Sequence, residues 1–208
     1  MRTPLSVIRN GIFFLERTLS TAGEETRELL AEMDRAISSS NQIITEMLDF
    51  VREHSPANAE FPIDEAIARA LREVPLPGSI QLQCAANGEP PITVKGNQDQ
   101  ITRILTNLLQ NAVHAMPEGG ELAVSTSRQE DGKVCVLVRD TGHGIPPENL
   151  DKVFDPLFST KTKGMGLGLT VARRYAGLNG GQLLVESEVG VGTSFRLALS
   201  AASPSEES

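Results

Sequence analysis

The sequence predicts an α+β protein in which an antiparallel two-helix hairpin precedes a second domain of alternating helices and short strands. The first observation behind this is periodic. Leu5, Ile8, Ile12, Leu15 and Leu19 follow a three-then-four spacing, and Leu30, Met33, Ile37, Ile44, Met47 and Val51 follow it again, so each set lies along one narrow helical stripe. The second is the polar stretch His54-Ser55-Pro56-Ala57-Asn58-Ala59, where the helical period breaks. The third is the set of short apolar or alternating runs that follows, bounded by glycine and proline turns.

Between the two helical stripes, Ser20-Thr21-Ala22-Gly23-Glu24 combines a glycine stop with a Thr21 to Glu24 capping-box pair, so a short turn should reverse the chain. Two narrow apolar seams cannot both be buried within one hairpin. Pairing with a second copy in a four-helix bundle solves this, and a homodimer is expected. Ser40 interrupts the seam beside polar Asn41, which helps to set register at some cost in stability.

The second domain should begin near Phe61, with a helix over 64–74 and short strands over 80–84 and 92–95. Asn97 with Gln100 signals a helix start, and Ile101, Ile104, Leu105, Leu108 and Ala112 supply its buried stripe as far as Met116. Pro117-Glu118-Gly119-Gly120 ends it. Strands over 121–127 and 133–139 should form a hairpin around Asp131-Gly132. A helix over 169–178 and strands over 182–187 and 193–199 complete the domain, and 201–208, without any period, reads as a disordered tail. The boundaries are therefore 1–54 for the hairpin, 55–60 for a linker, 61–200 for the second domain and 201–208 for the tail.

At 208 residues the chain can bury one substantial core and carry a smaller element beside it. A net charge of −8 without any basic run argues against nucleic acid as a partner. Cys84 and Cys135 lack metal-ligand spacing, and their period-2 apolar neighbours place them as inert thiols in buried strand positions, which favours a reducing, cytoplasmic setting. No apolar run reaches bilayer length and no signal-like segment opens the chain, so no direct membrane insertion is expected.

Three blocks of chemistry-bearing residues stand in order: Asn107-Leu108-Leu109-Gln110-Asn111-Ala112, then Asp140-Thr141-Gly142-His143-Gly144-Ile145, then Gly164-Met165-Gly166-Leu167-Gly168-Leu169. Asn107 and Asn111 are four residues apart and share one helix face. Asp140 closes an apolar strand and opens a glycine loop, where Gly142 and Gly144 allow backbone geometry and close approach that a Cβ would obstruct. Gly164, Gly166 and Gly168 lead into a helix whose first amides could face a triphosphate. A single glycine-rich block would be weak, but three ordered blocks with distinct chemistry are not. Together they resemble the N, G1 and G2 boxes of the GHKL ATP-binding superfamily.

That resemblance implies a two-layer α/β sandwich with helices on one face of a mixed sheet. It also implies ATP and Mg²⁺ as cofactors. Asn111 would offer its amide oxygen to Mg²⁺, which prefers oxygen ligands while keeping waters and phosphates, and Asn107 would support the phosphates. Asp140 would accept the adenine amino hydrogen, with Ile145 closing the G1 box, and Leu167 and Leu169 standing among the G2 glycines. Gly190-Val191-Gly192-Thr193-Ser194-Phe195 resembles the G3 box, whose threonine hydroxyl, here Thr193, would join the adenine network through water; a plain strand start is the competing reading. Phe154-Asp155-Pro156-Leu157-Phe158-Ser159-Thr160-Lys161 resembles the F box, with phenylalanines that pack. Lys161 and Lys163 are candidate phosphate contacts, against the alternative of a solvated lysine pair. His114 stands where many relatives have lysine or arginine, so its contact would be weaker and pH-dependent.

Arg2-Thr3-Pro4-Leu5 could simply start a helix, with Thr3 as N-cap and Pro4 as first residue. Beside the three boxes, it resembles instead the end of the histidine-kinase H box, His-Glu-Leu-Arg-Thr-Pro-Leu. Met1 then stands at the leucine position, and the phospho-accepting histidine falls two residues before it. His54, His114 and His143 do not occupy that context. Thr3 matches a position that orients water for dephosphorylation in bifunctional relatives.

The whole resembles the core of a sensor histidine kinase, similar to soluble nitrogen-regulation-type kinases. Phosphate would pass from ATP to a histidine and then to the aspartate of a response-regulator receiver domain, with the upstream sensor domain outside this chain. Hydrolysing superfamily relatives carry a glutamate where Asn107 stands, and an amide cannot take a proton from water. An ATP-responsive scaffold without phosphotransfer and a hydrolysing GHKL ATPase are the alternatives.

Overall fold

The computed structural model describes residues 8, 10–15, 24–51, 59–85, 91–159 and 166–202. They divide into a unit of N-terminal helices and a unit that holds both sheets. In the first, Ile8 and residues 10–15 are helical, and α1 spans Glu24–Val51. Ile12, Leu30 and Ile37, all seam residues, bury against one another. Other seam residues stay open: Ile8, Leu15 and Met33 are 47%, 43% and 42% exposed. One hairpin thus covers only part of its own apolar surface. The seam hydroxyl of Ser40 donates to the Ala36 carbonyl of its own helix at 2.9 Å, the usual outlet for a serine inside a helix.

The second unit contains β1 (Ala59–Pro62), α2 (Ile63–Glu73), β2 (Ile80–Ala85), β3 (Thr93–Gly96), α3 (Gln98–Ala115), β4 (Gly120–Arg128), β5 (Lys133–Asp140), α4 (Pro147–Leu150), α5 (Gly168–Leu178), β6 (Gln182–Glu188) and β7 (Gly192–Ser200). The five-stranded sheet runs β2-β4-β5-β7-β6. Only the β2–β4 pair is parallel, so the sheet is mixed. One sheet face, bearing Leu122, Val124, Val134, Val136, Val138, Phe195, Leu197 and Leu199, merges with the apolar stripes of α2, α3 and α5 in a single core. This is a helix layer on a mixed sheet, as expected. α3 begins as its sequence indicates, with the Asn97 side chain accepting the Gln100 N–H at 3.1 Å. α2 has Asp64 and Glu65 in its first turn and Arg72 in its last, each at the end its charge favours.

Some features depart from the sequence reading. β1 pairs antiparallel with β3, Phe61 opposite Val94, although a four-residue strand with one large apolar side chain offers no alternation to detect. Ala201 and Ala202 are not part of a free tail. Ala201 bridges Val94 and the Ala202 N–H donates to the Thr93 carbonyl at 3.0 Å, so β3 extends its pairing to the chain beyond β7. Neither cysteine is fully buried. Cys84 is exposed because β2 is an edge strand on which the helix layer covers only Ile80, and Cys135 is half-buried on the face of β5 away from the core valines. Burial still pushes the Cys135 thiol above its ordinary value.

Candidate functional site

The first N-box asparagine leaves α3 on the side that faces the start of α5. Asn107 is 4% exposed, and its Nδ2 donates to the Gly168 carbonyl at 2.9 Å. Asn111 follows one turn later and is half-buried. Asn107 therefore fastens α3 to the first residue of α5, across 61 residues of sequence. His114, in the last turn of α3, is exposed.

The G1 segment is wound around the end of β5. Asp140 is 3% exposed, and its Oδ1 accepts the N–H of Gly142 at 2.9 Å and that of Thr193 at 3.3 Å. Two backbone donors fix the carboxylate in one orientation. Gly142 packs against the C-terminal end of α3, where a Cβ would come within 2.5 Å of the Ala115 carbonyl oxygen. Gly144 has φ +72 and a Cβ there would run into the Glu188 backbone, so both the left-handed conformation and the close approach require glycine. The close approaches anticipated at Gly142 and Gly144 are thus made to the protein's own chain. The His143 ring Nδ1 lies 2.7 Å from the Gly144 carbonyl oxygen.

Thr193, opposite Asp140 across β5 and β7, is 5% exposed. Its hydroxyl lies 3.0 Å from Ser187 Oγ. Ser187 donates its one proton to the Gly192 carbonyl at 2.8 Å and accepts the Ile145 N–H at 2.8 Å, so the Thr193 hydroxyl is the donor between the two. Ser187 is thereby the junction of the G1 and G3 segments. Nothing in its sequence context marks it, since a serine in an alternating strand is unremarkable.

The G2 residues come next to α3. Gly166 has φ +68 against the Phe158 carbonyl, Leu167 is buried at the helix N-cap position, Gly168 opens α5 and Leu169 packs on the core. The N-cap residue Leu167 makes no side-chain capping bond, which leaves backbone N–H groups of the first turn of α5 without a partner inside the helix. Thr170 Oγ1 donates to the Phe154 carbonyl at 3.0 Å, and the Arg173 guanidinium stacks 5.0 Å above the Phe154 ring. Phe154 is buried in the core, the packing role its sequence context suggests. Thr3, Lys161, Lys163 and Gly164 lie outside the described residues. Among the described residues no cluster of three or more His, Cys, Asp or Glu could hold a metal ion. Asn111, with an amide oxygen, fits a hard cation that takes most of its ligands from phosphate and water.

A helix layer on a mixed sheet, with asparagines on its long helix, a clamped aspartate at a strand end and a glycine-led helix beside them, defines a two-layer α/β domain of the GHKL ATPase class. Residues 96–203 match the family described as histidine kinase-, DNA gyrase B- and HSP90-like ATPase, and residues 1–56 match the His kinase A (phospho-acceptor) domain. The chain belongs to the histidine kinase-, DNA gyrase B- and HSP90-like ATPase family, in the arrangement of a sensor histidine kinase core. It is 32% identical over 203 residues to the sensor histidine kinase ZraS of Salmonella typhimurium, covering 96% of this chain and 43% of ZraS. It therefore spans less than half of that relative. Among solved structures, full-length ShkA in complex with AMPPNP superposes with a TM-score of 0.73 at 25% identity, covering 97% of this chain and 44% of ShkA. The mycobacterial sensor histidine kinase MprB superposes with a TM-score of 0.62 at 26% identity, over 70% of this chain and 98% of MprB.

Proposed function

We propose that this chain binds Mg²⁺-ATP and serves phosphotransfer from ATP to a histidine on a helical hairpin, from which a response-regulator receiver domain takes the phosphate onto an aspartate. The observation behind this reading is Asn107. It is an amide where a hydrolase needs a carboxylate base, and its N–H is engaged with the Gly168 carbonyl. With an amide in place of that base, the site suits holding ATP for a protein acceptor. In this reading Asp140 receives the adenine amino hydrogen, with Gly142, Gly144, Ile145 and Thr193 shaping that end. Gly168 and Leu169 would present helix amides to the phosphates, with Gly164, Gly166 and Leu167 as the approach to that helix and Lys161, Lys163 and His114 as cationic or polar support. Asn111 would offer its amide oxygen to Mg²⁺, which would neutralise phosphate charge. Thr3 would act on the hairpin, orienting water when phosphate is removed from the regulator.

The working unit is proposed to be a homodimer built from 1–54, joined by a linker to the catalytic domain, whose first strand begins at Ala59, two residues before the expected boundary, and whose pairing reaches Ala202. Exposed Ile8, Leu15, Leu29 and Met33 on the described helices support it, because a second hairpin would cover them. Among the described residues no helix is long and apolar enough to cross a membrane. A cytoplasmic setting, with a sensor domain supplied by a longer protein, accords with this reading.

The test is transfer of label from γ-labelled ATP. This polypeptide should bind nucleotide and gain no acid-labile, base-stable phosphate, and a version with His-Glu added before Met1 should gain it. Steady ATP hydrolysis without labelling in the extended version would sink the transferase reading. Label traced by mass spectrometry to His54, His114 or His143 would move the acceptor elsewhere.

A further inference from the structure

We propose that Asn179 is a positioning residue for the nucleotide: its buried amide locks the far end of α5 onto the start of α3 and so sets where the opening turn of α5 meets Asn107. The inference rests on reading α3 and α5 as the helices that hold ATP phosphates and Mg²⁺.

Asn179 directly follows α5 and is 8% exposed. Its Oδ1 accepts the Asn97 N–H at 2.7 Å, and its Nδ2 donates to Gln100 Oε1 at 2.8 Å and to the Tyr175 carbonyl at 2.7 Å. Both amide protons and the oxygen are engaged, so only one orientation satisfies the group. Turning the amide over would set its NH₂ against the Asn97 N–H and its oxygen against two other acceptors. Gly96 leaves the room this requires, since a Cβ there would come within 2.7 Å of Asn179 Oδ1. Asn97, in turn, is the N-cap of α3 through its bond to the Gln100 N–H.

α5 is therefore tied to α3 at both of its ends, by Asn179 to Asn97 and Gln100 at one and by Gly168 to Asn107, midway along α3, at the other. Apolar packing of Val171, Ala172, Tyr175 and Ala176 holds α5 on the core, but such contacts constrain sliding and tilt weakly compared with directional bonds. The 11 residues of α5 span about 16 Å. A tilt of about 4° at the Asn179 end would carry the first turn by about 1 Å, a displacement large enough to spoil amide contacts with a phosphate. Asp140 and Thr193 sit on β5 and β7 and are not moved by such a tilt. The consequence is selective: loss of the Asn179 amide should harm the phosphate end and spare the adenine end.

The experiment compares Mg²⁺-AMPPNP with adenosine by calorimetry on the full chain, with a thermal melt of each variant. Asn179→Ala should weaken AMPPNP about tenfold, the equivalent of one well-made hydrogen bond, and leave adenosine affinity unchanged. Gln100→Met, which removes only one acceptor of the clamp, should shift AMPPNP in the same direction by less, and it serves as the comparison if Asn179→Ala does not fold. Equal proportional losses for both ligands would mean a lower folded population and overturn the positioning role, as would an AMPPNP affinity that does not change. A wild-type chain that binds neither ligand would overturn the nucleotide reading and this inference with it.

Discussion

Replacing Asp140 by asparagine keeps the shape of the side chain and changes what it can accept. In the wild type, Oδ1 takes the N–H groups of Gly142 and Thr193 at 2.9 and 3.3 Å. The asparagine oxygen can take the same two bonds, and that choice forces its NH₂ into the other oxygen's place. A donor then opposes the adenine amino group. The lost bond is one to a charged acceptor, about 1.5 to 3 kcal/mol, so affinity for Mg²⁺-ADP should fall about ten- to a hundredfold. Folding should suffer less, about 1 kcal/mol, because both backbone donors stay paired. Asp140→Ala is the control. It strands two buried N–H groups, at about 1 to 3 kcal/mol each, and should lower the melting temperature as well as binding. Calorimetric titration and thermal melting of both variants check the pair of effects. A folded Asp140→Asn chain that binds ADP as tightly as the wild type would refute the adenine-reading role. Equal melting losses in the two variants would show that the carboxylate's charge serves the fold instead.

Asn111→Asp should change the Mg²⁺ dependence of nucleotide binding, read as a shift in the metal concentration that gives half-maximal ADP binding; an unaltered metal titration would remove Asn111 from the site. Gly144→Ala meets both a left-handed φ of +72 and the Glu188 backbone, so it should destabilise the catalytic unit by about 1 to 3 kcal/mol in a denaturant melt, and a neutral result would mean the loop relaxes freely. Met33→Glu should convert a dimer to monomer in light scattering while leaving helical circular dichroism intact, since Met33 is exposed in the single chain; Ile37→Glu should also unsettle the hairpin, because Ile37 is buried with Ile12 and Leu30. Light scattering that gives a monomer for the wild type at micromolar concentration, with the hairpin folded, would contradict the dimer.

Long, periodic elements were legible in the residues themselves. The stripe of Ile101, Ile104, Leu105, Leu108 and Ala112 with its Asn97 cap is local information, because helix bonds and caps join residues three or four apart. The three glycine and asparagine boxes were legible for the same reason, each being contiguous. Strand β1 was not, since a four-residue segment becomes a strand only by pairing with β3. The exposure of Cys84 was not, since alternation reports which side of a strand a residue takes and not whether that strand lies at the sheet's edge. Three relations that shape the site are likewise non-local: Asp140 to Thr193 across 53 residues, Asn107 to Gly168 across 61, and Asn179 to Asn97 across 82. Sequence determined which chemical groups are present and on which elements they stand. Only the order of strands in the sheet and the packing of α5 on α3 decided which groups meet, because hydrogen bonds between distant segments depend on the tertiary contacts that bring those segments together.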